Sequence, residues 1–140
     1  MNTNKLLTGT LIGGVAAFLT GWFLFGTLFK TVLADNMTAA ARTISKEEPD
    51  MFYLILSCLL FALLLTYIFE KWAGIRTAMA GLTAGLTIGF INILGLDLSL
   101  FSMTTIFSGI QNILPDVAVN TIYSGIVGTV IGWWLGFKRS

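Results

Sequence analysis

Two carboxylates stand out as residues that could do chemistry: Asp97 and Asp116 flank eighteen uncharged residues, so each acid is isolated in the chain. Four side-chain amides lie close to them in sequence: Asn92, Gln111, Asn112 and Asn120. Carboxylate and amide oxygens suit hard cations, because ions such as Ca²⁺ take several oxygen ligands at once. A cation site is therefore one interpretation, provided that the segment between the acids folds back and brings them together.

A second interpretation gives the same two acids a structural role. Asp97 would end one helix, and Asp116, next to Pro115, would begin another, where an acid favours the positive end of the helix dipole. We expect this capping role, because it requires no ligand. The sequence therefore predicts no cofactor and no firm metal site, with Asp97 and Asp116 as the candidates if a cation does bind.

Enzymatic chemistry has few residues to draw on. The chain contains no histidine, which removes the commonest general base and metal ligand. Its single cysteine, Cys58, lies among leucines, where burial would leave the thiol inert. Without histidine, no set of nucleophile, base and orienting group can be assembled. We expect a protein that is not an enzyme.

The elements that position these residues follow from composition. Of the 140 residues, 56% are hydrophobic and only 11% are charged, against about 25% charged in soluble domains. A helix of about 20 apolar residues crosses a bilayer, and four runs without Asp, Glu, Lys or Arg reach about that length. They are Leu6–Phe29, Met51–Phe69, Thr77–Leu96 and Val117–Phe137. The prediction is an all-α membrane protein, an antiparallel bundle of four transmembrane helices in one domain over residues 1–140.

Small residues recur at intervals of four in three of these runs, which places them on one helix face where another helix can approach closely. They are Gly9, Gly13, Ala17 and Gly21, then Gly81, Gly85 and Gly89, and finally Ser124, Gly128, Gly132 and Gly136. The leucine-rich second run has no glycine. We therefore expect runs one, three and four to form the tight core. The second should face lipid along much of its surface, and Ala62→Leu should be tolerated there.

The segments between the runs are harder to place. Apolar residues recur at helical spacing over Leu98–Leu114, opposite a row of Thr, Ser, Gln and Asn. This pattern predicts a short amphipathic helix between spans three and four, lying in the membrane interface or re-entering the protein; we favour the interface. A second short helix is predicted over Met37–Ile44 in the hydrophilic stretch after the first run.

The N-terminal run raises the question of a signal peptide. Its 24 residues exceed the 7–15 of a signal core, and its small residues suit packing, so we expect a retained span. Basic residues then decide the orientation, since cytoplasmic loops are enriched in Lys and Arg. One side holds Lys5, Lys71, Arg76, Lys138 and Arg139, and the other holds Lys30, Arg42 and Lys46. Both termini are predicted to be cytoplasmic, so the two acids face outward.

One resemblance extends over most of the chain. The stretches GTLIGG…GWFLFG, LLLTYIFEKWAG, AGLTAGLTIGF and YSGIVGTVIGWWLG occur in this order. Their glycine and aromatic pattern resembles small four-span bacterial inner-membrane proteins of unknown function. The resemblance implies the four-helix fold and a multi-pass location in a bacterial inner (cytoplasmic) membrane, and it brings no active residues with it.

These patterns lead to two function hypotheses from different classes. The first is a small non-enzymatic membrane protein that packs as a homo-oligomer or as an accessory subunit of a larger membrane complex. The alternative is a small channel or transporter for a cation or small solute, using the outward-facing Asp97 and Asp116. The expected partners are the lipid bilayer and either the protein itself or another membrane protein. A net charge of +1 gives no reason to expect nucleic acid.

Overall fold

The computed structural model describes residues 3–35, 38–39, 43, 50–107 and 109–137, and it shows no strand among them. The helices described from end to end are α1 (Thr3–Phe23), α2 (Lys30–Asp35), α3 (Met51–Tyr67), α4 (Ala78–Met103) and α5 (Leu114–Phe137). π-helical turns extend α1 over Leu24–Leu28 and α3 over Ile68–Ala73, and a 3-10 turn, Ile110–Ile113, leads into α5. With these extensions, α1, α3, α4 and α5 are each long and apolar enough to cross a membrane, as predicted.

The third span differs most from its prediction. Instead of ending at Leu96, α4 continues to Met103, where the backbone amide and hydroxyl of Thr104 both donate to Leu100 O, at 2.8 and 2.6 Å. The predicted amphipathic helix over Leu98–Leu114 is therefore wrong. Residues 98–103 complete α4. In the rest of the segment, only the 3-10 turn and Leu114, the first residue of α5, are helical. No proline or run of charge after Asp97 breaks the helix, and the isolated acid was a misleading stop signal.

Most of the segment between α2 and α3 lies outside the described residues, including most of the helix predicted over Met37–Ile44. Where it is described, Thr38 meets the chain that follows α4. Its backbone amide donates to Ile106 O at 3.0 Å, and its hydroxyl donates to Thr105 O at 2.6 Å. The loop after α2 and the loop after α4 are thus joined at the same end of the molecule.

Close contact between α4 and α5 runs along their small residues. The contacts pair Gly81 with Gly128 and Gly132, Gly85 with Ser124 and Gly128, and Gly89 with Ser124. A Cβ added to Gly132 would lie only 3.0 Å from the Cα of Gly81, so the two backbones touch directly. From one contacting pair to the next, the residue number in α4 rises while that in α5 falls. The predicted packing role of these glycines matches the contacts that they make.

The leucine-rich α3 packs more tightly than expected. Cβ atoms added to Gly9 and Gly14 of α1 would lie 2.7 Å from Thr66 Cγ2 and 2.5 Å from Leu59 Cδ2, respectively. Ala62 has no exposed surface, which contradicts its predicted place on a lipid-facing side. The glycines of α1 create the space, so α3 needs none of its own. Gly21 is the exception on α1, because a Cβ added to it would lie 3.4 Å from Cε2 of Tyr123, an ordinary van der Waals distance.

The buried core draws on α1, α3 and α5. Its fully buried hydrophobic residues are Ala17, Ala62, Leu65, Phe69, Val127, Ile131 and Leu135. Among the described elements, α5 contacts both α1 and α4 extensively, whereas α4 makes its substantial contacts only with α5 and the 3-10 turn. α4 is therefore attached to the rest of the molecule through α5.

A tight turn connects α3 to α4 at the other end of the molecule. Gly74 has φ 63°, and the amide of Ile75 donates to Phe69 O at 3.0 Å. Gly74 thus ends the π-helical turn in the left-handed conformation, which favours glycine because it strains other residues. Arg76 then pairs with Glu70, with Nη2 and Oε2 3.0 Å apart, and Thr77 Oγ1 accepts from the amide of Ala80 at 3.1 Å to begin α4.

Candidate functional site

The two acids lie on the same helix faces as the packing glycines. Asp97 stands eight residues after Gly89 on α4, and Asp116 stands eight residues before Ser124 on α5. Residues at multiples of four share one face of a helix over such short distances. The line of contact that pairs Gly89 with Ser124 therefore continues two turns further, to Asp97 opposite Asp116.

Asp97 is one of the most deeply buried polar residues that the structure describes, with 2% of its surface exposed. Its carboxyl group lies close enough to that of Asp116 for the two to interact. Its Oδ2 atom is unsatisfied, because it has no hydrogen-bond partner among the described residues. Asp97 does not end a helix, since α4 continues six residues beyond it. The predicted capping role of Asp97 is therefore wrong, and the physical reason is the contact with Asp116, which holds the acid inside the helix pair.

Asp116 lies at the beginning of α5 and close to Asp97. It lies in the first turn of α5, where an acid suits the positive end of the helix dipole. It is also fixed by Asn120, whose Nδ2 donates to Asp116 O at 2.8 Å and to Asp116 Oδ1 at 3.2 Å. The structure thus brings together Asp97, Asp116 and Asn120, which are three of the six polar residues singled out in the sequence.

The other amides are placed differently. Asn92 is exposed on α4, and Gln111 is exposed in the 3-10 turn, with its side chain against Gly109. The backbone amide of Asn112 donates to Gly109 O at 3.0 Å and so helps to form that turn. The oxygen-rich cage that a divalent cation would need is not assembled from these residues, and no group of three or more His, Cys, Asp or Glu among the described residues could hold a metal ion.

The position of the acid pair along α4 also differs from expectation. Asp97 is six to seven residues from the midpoint of α4, which corresponds to about 10 Å at 1.5 Å per residue. The hydrocarbon core of a bilayer extends about 15 Å on either side of its centre. The third candidate span, Ala78–Met103, therefore includes an acid, whereas all four predicted spans were free of ionisable residues.

A groove lies between α1 and α3. It has a volume of about 610 Å³, and Ala17, Phe18, Trp22, Leu54 and Tyr123 are among the side chains that line it. The ring of Tyr123 stacks on Phe61, with centroids 5.6 Å apart. Lys30 is the only charged residue among those lining the groove. This mainly apolar lining suits hydrocarbon, and Ser57 and Cys58 also contribute to it.

The cation interpretation required the two acids to come together, and the helical spacing contains a further signal for their pairing. The four-residue interval of α5 runs without a break through Asp116, Asn120, Ser124, Gly128, Gly132 and Gly136. On α4 the same interval leads from Gly81 through Gly85, Gly89 and Ile93 to Asp97.

Comparison of the chain with known protein families, with curated proteins and with solved structures finds no match.

Proposed function

We propose that the chain is a multi-pass membrane protein whose four spans form an antiparallel bundle, and that it packs with itself or with a larger membrane complex rather than catalysing a reaction. The opposite order of the contacting residues in α4 and α5 supports the antiparallel arrangement of that pair. The short turn from Gly74 to Thr77 supports it for α3 and α4, because so short a connection returns the chain in the opposite direction.

A bacterial inner membrane with both termini in the cytoplasm is part of the same proposal. Its support is the resemblance to small four-span bacterial proteins together with the excess of Lys and Arg on the side of the termini, five against three. In this orientation the acid pair lies near the outer surface. The turn that holds Glu70 and Arg76 lies near the inner surface.

The open face of α4 is the observation that supports packing with a partner. Asn92 lies close to the midpoint of α4, it is exposed, and no hydrogen bond joins its side chain to another of the described residues. The neighbouring Thr83 and Thr87 are also exposed, but their hydroxyls donate to carbonyls of α4 itself, at 3.1 and 2.9 Å. An unpaired amide is costly in hydrocarbon, and a polar group on a second helix removes that cost.

Asn92→Leu tests this contact. An interhelical hydrogen bond contributes about 0.6–2 kcal/mol in membranes, so the substitution should weaken self-association by roughly 3- to 30-fold. Energy transfer between labelled chains, measured in vesicles as the protein is diluted with lipid, reports that change. Met79→Leu, an exposed position on the same helix, is the matched control and should leave self-association unchanged.

If the partner is another protein, wild type and Asn92→Leu will both be monomeric in these vesicles. Purification from native membranes then separates the cases, because only wild type should retain the larger complex. Equal complex formation by both proteins would exclude the Asn92 face as the site of contact.

The alternative function is a small channel or transporter for a cation or small solute. The buried pair of Asp97 and Asp116 favours it, because ionisable residues within a membrane span are costly and typically mark an ion pathway. Flux of ions across vesicles containing wild type or Asp97→Asn tests this function. Transport that is equal in the two would exclude a role for the acid pair.

A further inference from the structure

The packing of α4 on α5 fixes the distance between Asp97 and Asp116. Two turns away from the acids, Gly89 lies against the side chain of Ser124, and an added Cβ there would also approach Asn120 O at 3.5 Å. Close packing at this level keeps the two helix faces that carry the acids next to each other. Asn120 further restrains Asp116 through its two hydrogen bonds.

A hydrogen bond between two carboxyl groups requires a proton, because an ionised carboxylate is an acceptor only. A single proton shared by the carboxyl groups of Asp97 and Asp116 would meet this requirement. Two ionised carboxylates so close together would repel each other, and the buried Oδ2 of Asp97 has no donor to compensate its charge.

The described surroundings offer no positive charge to replace that proton. Asp97 is the only charged residue in α4, Asp116 is the only one in α5, and the 3-10 turn has none. Among the other described elements that contact α5, α1 carries Lys5 and α2 carries Lys30 and Asp35, and no ion pair described in the structure joins these residues to Asp97 or Asp116. A hard cation such as Ca²⁺ takes six to eight oxygen ligands, more than the two acids and Asn120 provide.

We infer that Asp97 and Asp116 form a proton-binding site, which holds one shared proton while the outer ends of α4 and α5 are packed and releases it to water when those ends separate. On release, the O–H bond of the shared proton breaks, water accepts the proton, and both carboxylates become hydrated. This inference deepens the alternative function above, since it names the proton as the cation that the pair handles.

Infrared spectroscopy of the protein in vesicles tests the site directly. A protonated carboxylic acid has a carbonyl absorption that is distinct from that of a carboxylate and shifts in D₂O. Wild type should show this absorption for one group per chain, and it should disappear as the pH is raised. Asp97→Asn should abolish it, because Asp116 then has no acid with which to share a proton. In Asp116→Asn the absorption should persist, because burial still disfavours the charged form of Asp97. Asp50→Asn is the control: Asp50 is an exposed acid that caps α3 through the amide of Phe52, at 3.1 Å, and its replacement should leave the absorption unchanged.

Folding can be checked independently by circular dichroism. The side-chain amide that Asp97→Asn introduces would donate to Asp116 much as a protonated acid does, so this variant should remain helical. An absorption that survives in Asp97→Asn, or that is absent from folded wild type at every pH, would overturn the proposal. So would loss of the absorption at constant pH on addition of Na⁺ or Ca²⁺, which would identify a metal cation as the ligand instead. If the absorption titrates with pH but no proton flux crosses the vesicle membrane, the proton-binding site is retained and only the transport function is rejected.

Discussion

Ala62 of α3 lies against Gly13 of α1: a Cβ added to Gly13 would be 3.0 Å from that of Ala62, which has no exposed surface. A larger side chain at position 62 must therefore displace α1. We expect Ala62→Leu to lower the free energy of unfolding by about 1–3 kcal/mol, the usual cost of overpacking. Ala118→Leu, at an exposed position of α5, is the matched control and should change it little. Unfolding in mixed detergent micelles measures both, and equal stability of the two variants would contradict the contact.

Gly85 and Gly95 provide a second comparison within one helix. A Cβ on Gly85 would collide with the backbone carbonyl of Ser124, whereas a Cβ on Gly95 would meet nothing within 4 Å. Gly85→Ala should therefore destabilise the protein by about 1–3 kcal/mol, because backbone atoms cannot move aside as a flexible side chain can. Gly95→Ala should stabilise it by up to about 1 kcal/mol, because alanine favours the helix. The same unfolding assay distinguishes them, and a loss of stability at both positions would point to a general intolerance of side chains on α4.

The turn after α3 makes a prediction that depends on backbone conformation alone. Gly74 has φ 63° and no atom within 4 Å of an added Cβ, so a substitution there meets strain but no steric clash. Gly74→Ala should lower the free energy of unfolding by about 1–2 kcal/mol, the cost of a left-handed conformation for an L-residue. Gly74→Asn should recover part of that loss, since asparagine tolerates this region. Alanine and asparagine variants of equal stability would argue against the left-handed turn.

Cysteine labelling tests the proposed orientation. With Cys58 replaced by alanine, Thr105→Cys and Ala73→Cys place single thiols at exposed positions beyond opposite ends of α4. A membrane-impermeant maleimide added to intact cells should modify the thiol at position 105 and spare that at position 73, because the side of Lys71 and Arg76 is predicted to be cytoplasmic. Both sites should react after the membrane is permeabilised. The reverse pattern in intact cells would invert the topology.

The sequence predicted the four candidate spans because composition and helical length depend on local chemistry, and the glycine contacts of α4 and α5 followed from spacing alone. The end of α4 and the state of Asp97 were not predicted, because both depend on a partner that is distant in the chain. An acid in an apolar sequence marks a helix end when it must reach water. It can remain within the helix when another acid shares a proton with it.

Ala62 is a second residue whose environment depends on a distant part of the chain. The absence of glycine from α3 predicts a lipid-facing helix only if each helix must supply its own small residues. Close packing requires a small residue on only one of two partners, and Gly9, Gly13 and Gly14 of α1 supply it. A sequence pattern within one span therefore does not determine how closely its neighbour approaches.

The attachment of α4 through α5 has a consequence for biosynthesis. Chains are made from the N-terminus, so α4 leaves the ribosome before α5 does. During that interval its glycine face and the carboxyl group of Asp97 have no partner among the helices that precede it, since α1 and α3 make no substantial contact with α4. The nascent protein thus passes through a stage at which an acid-bearing span stands alone in the bilayer. That stage ends when α5 reaches the membrane and packs against α4.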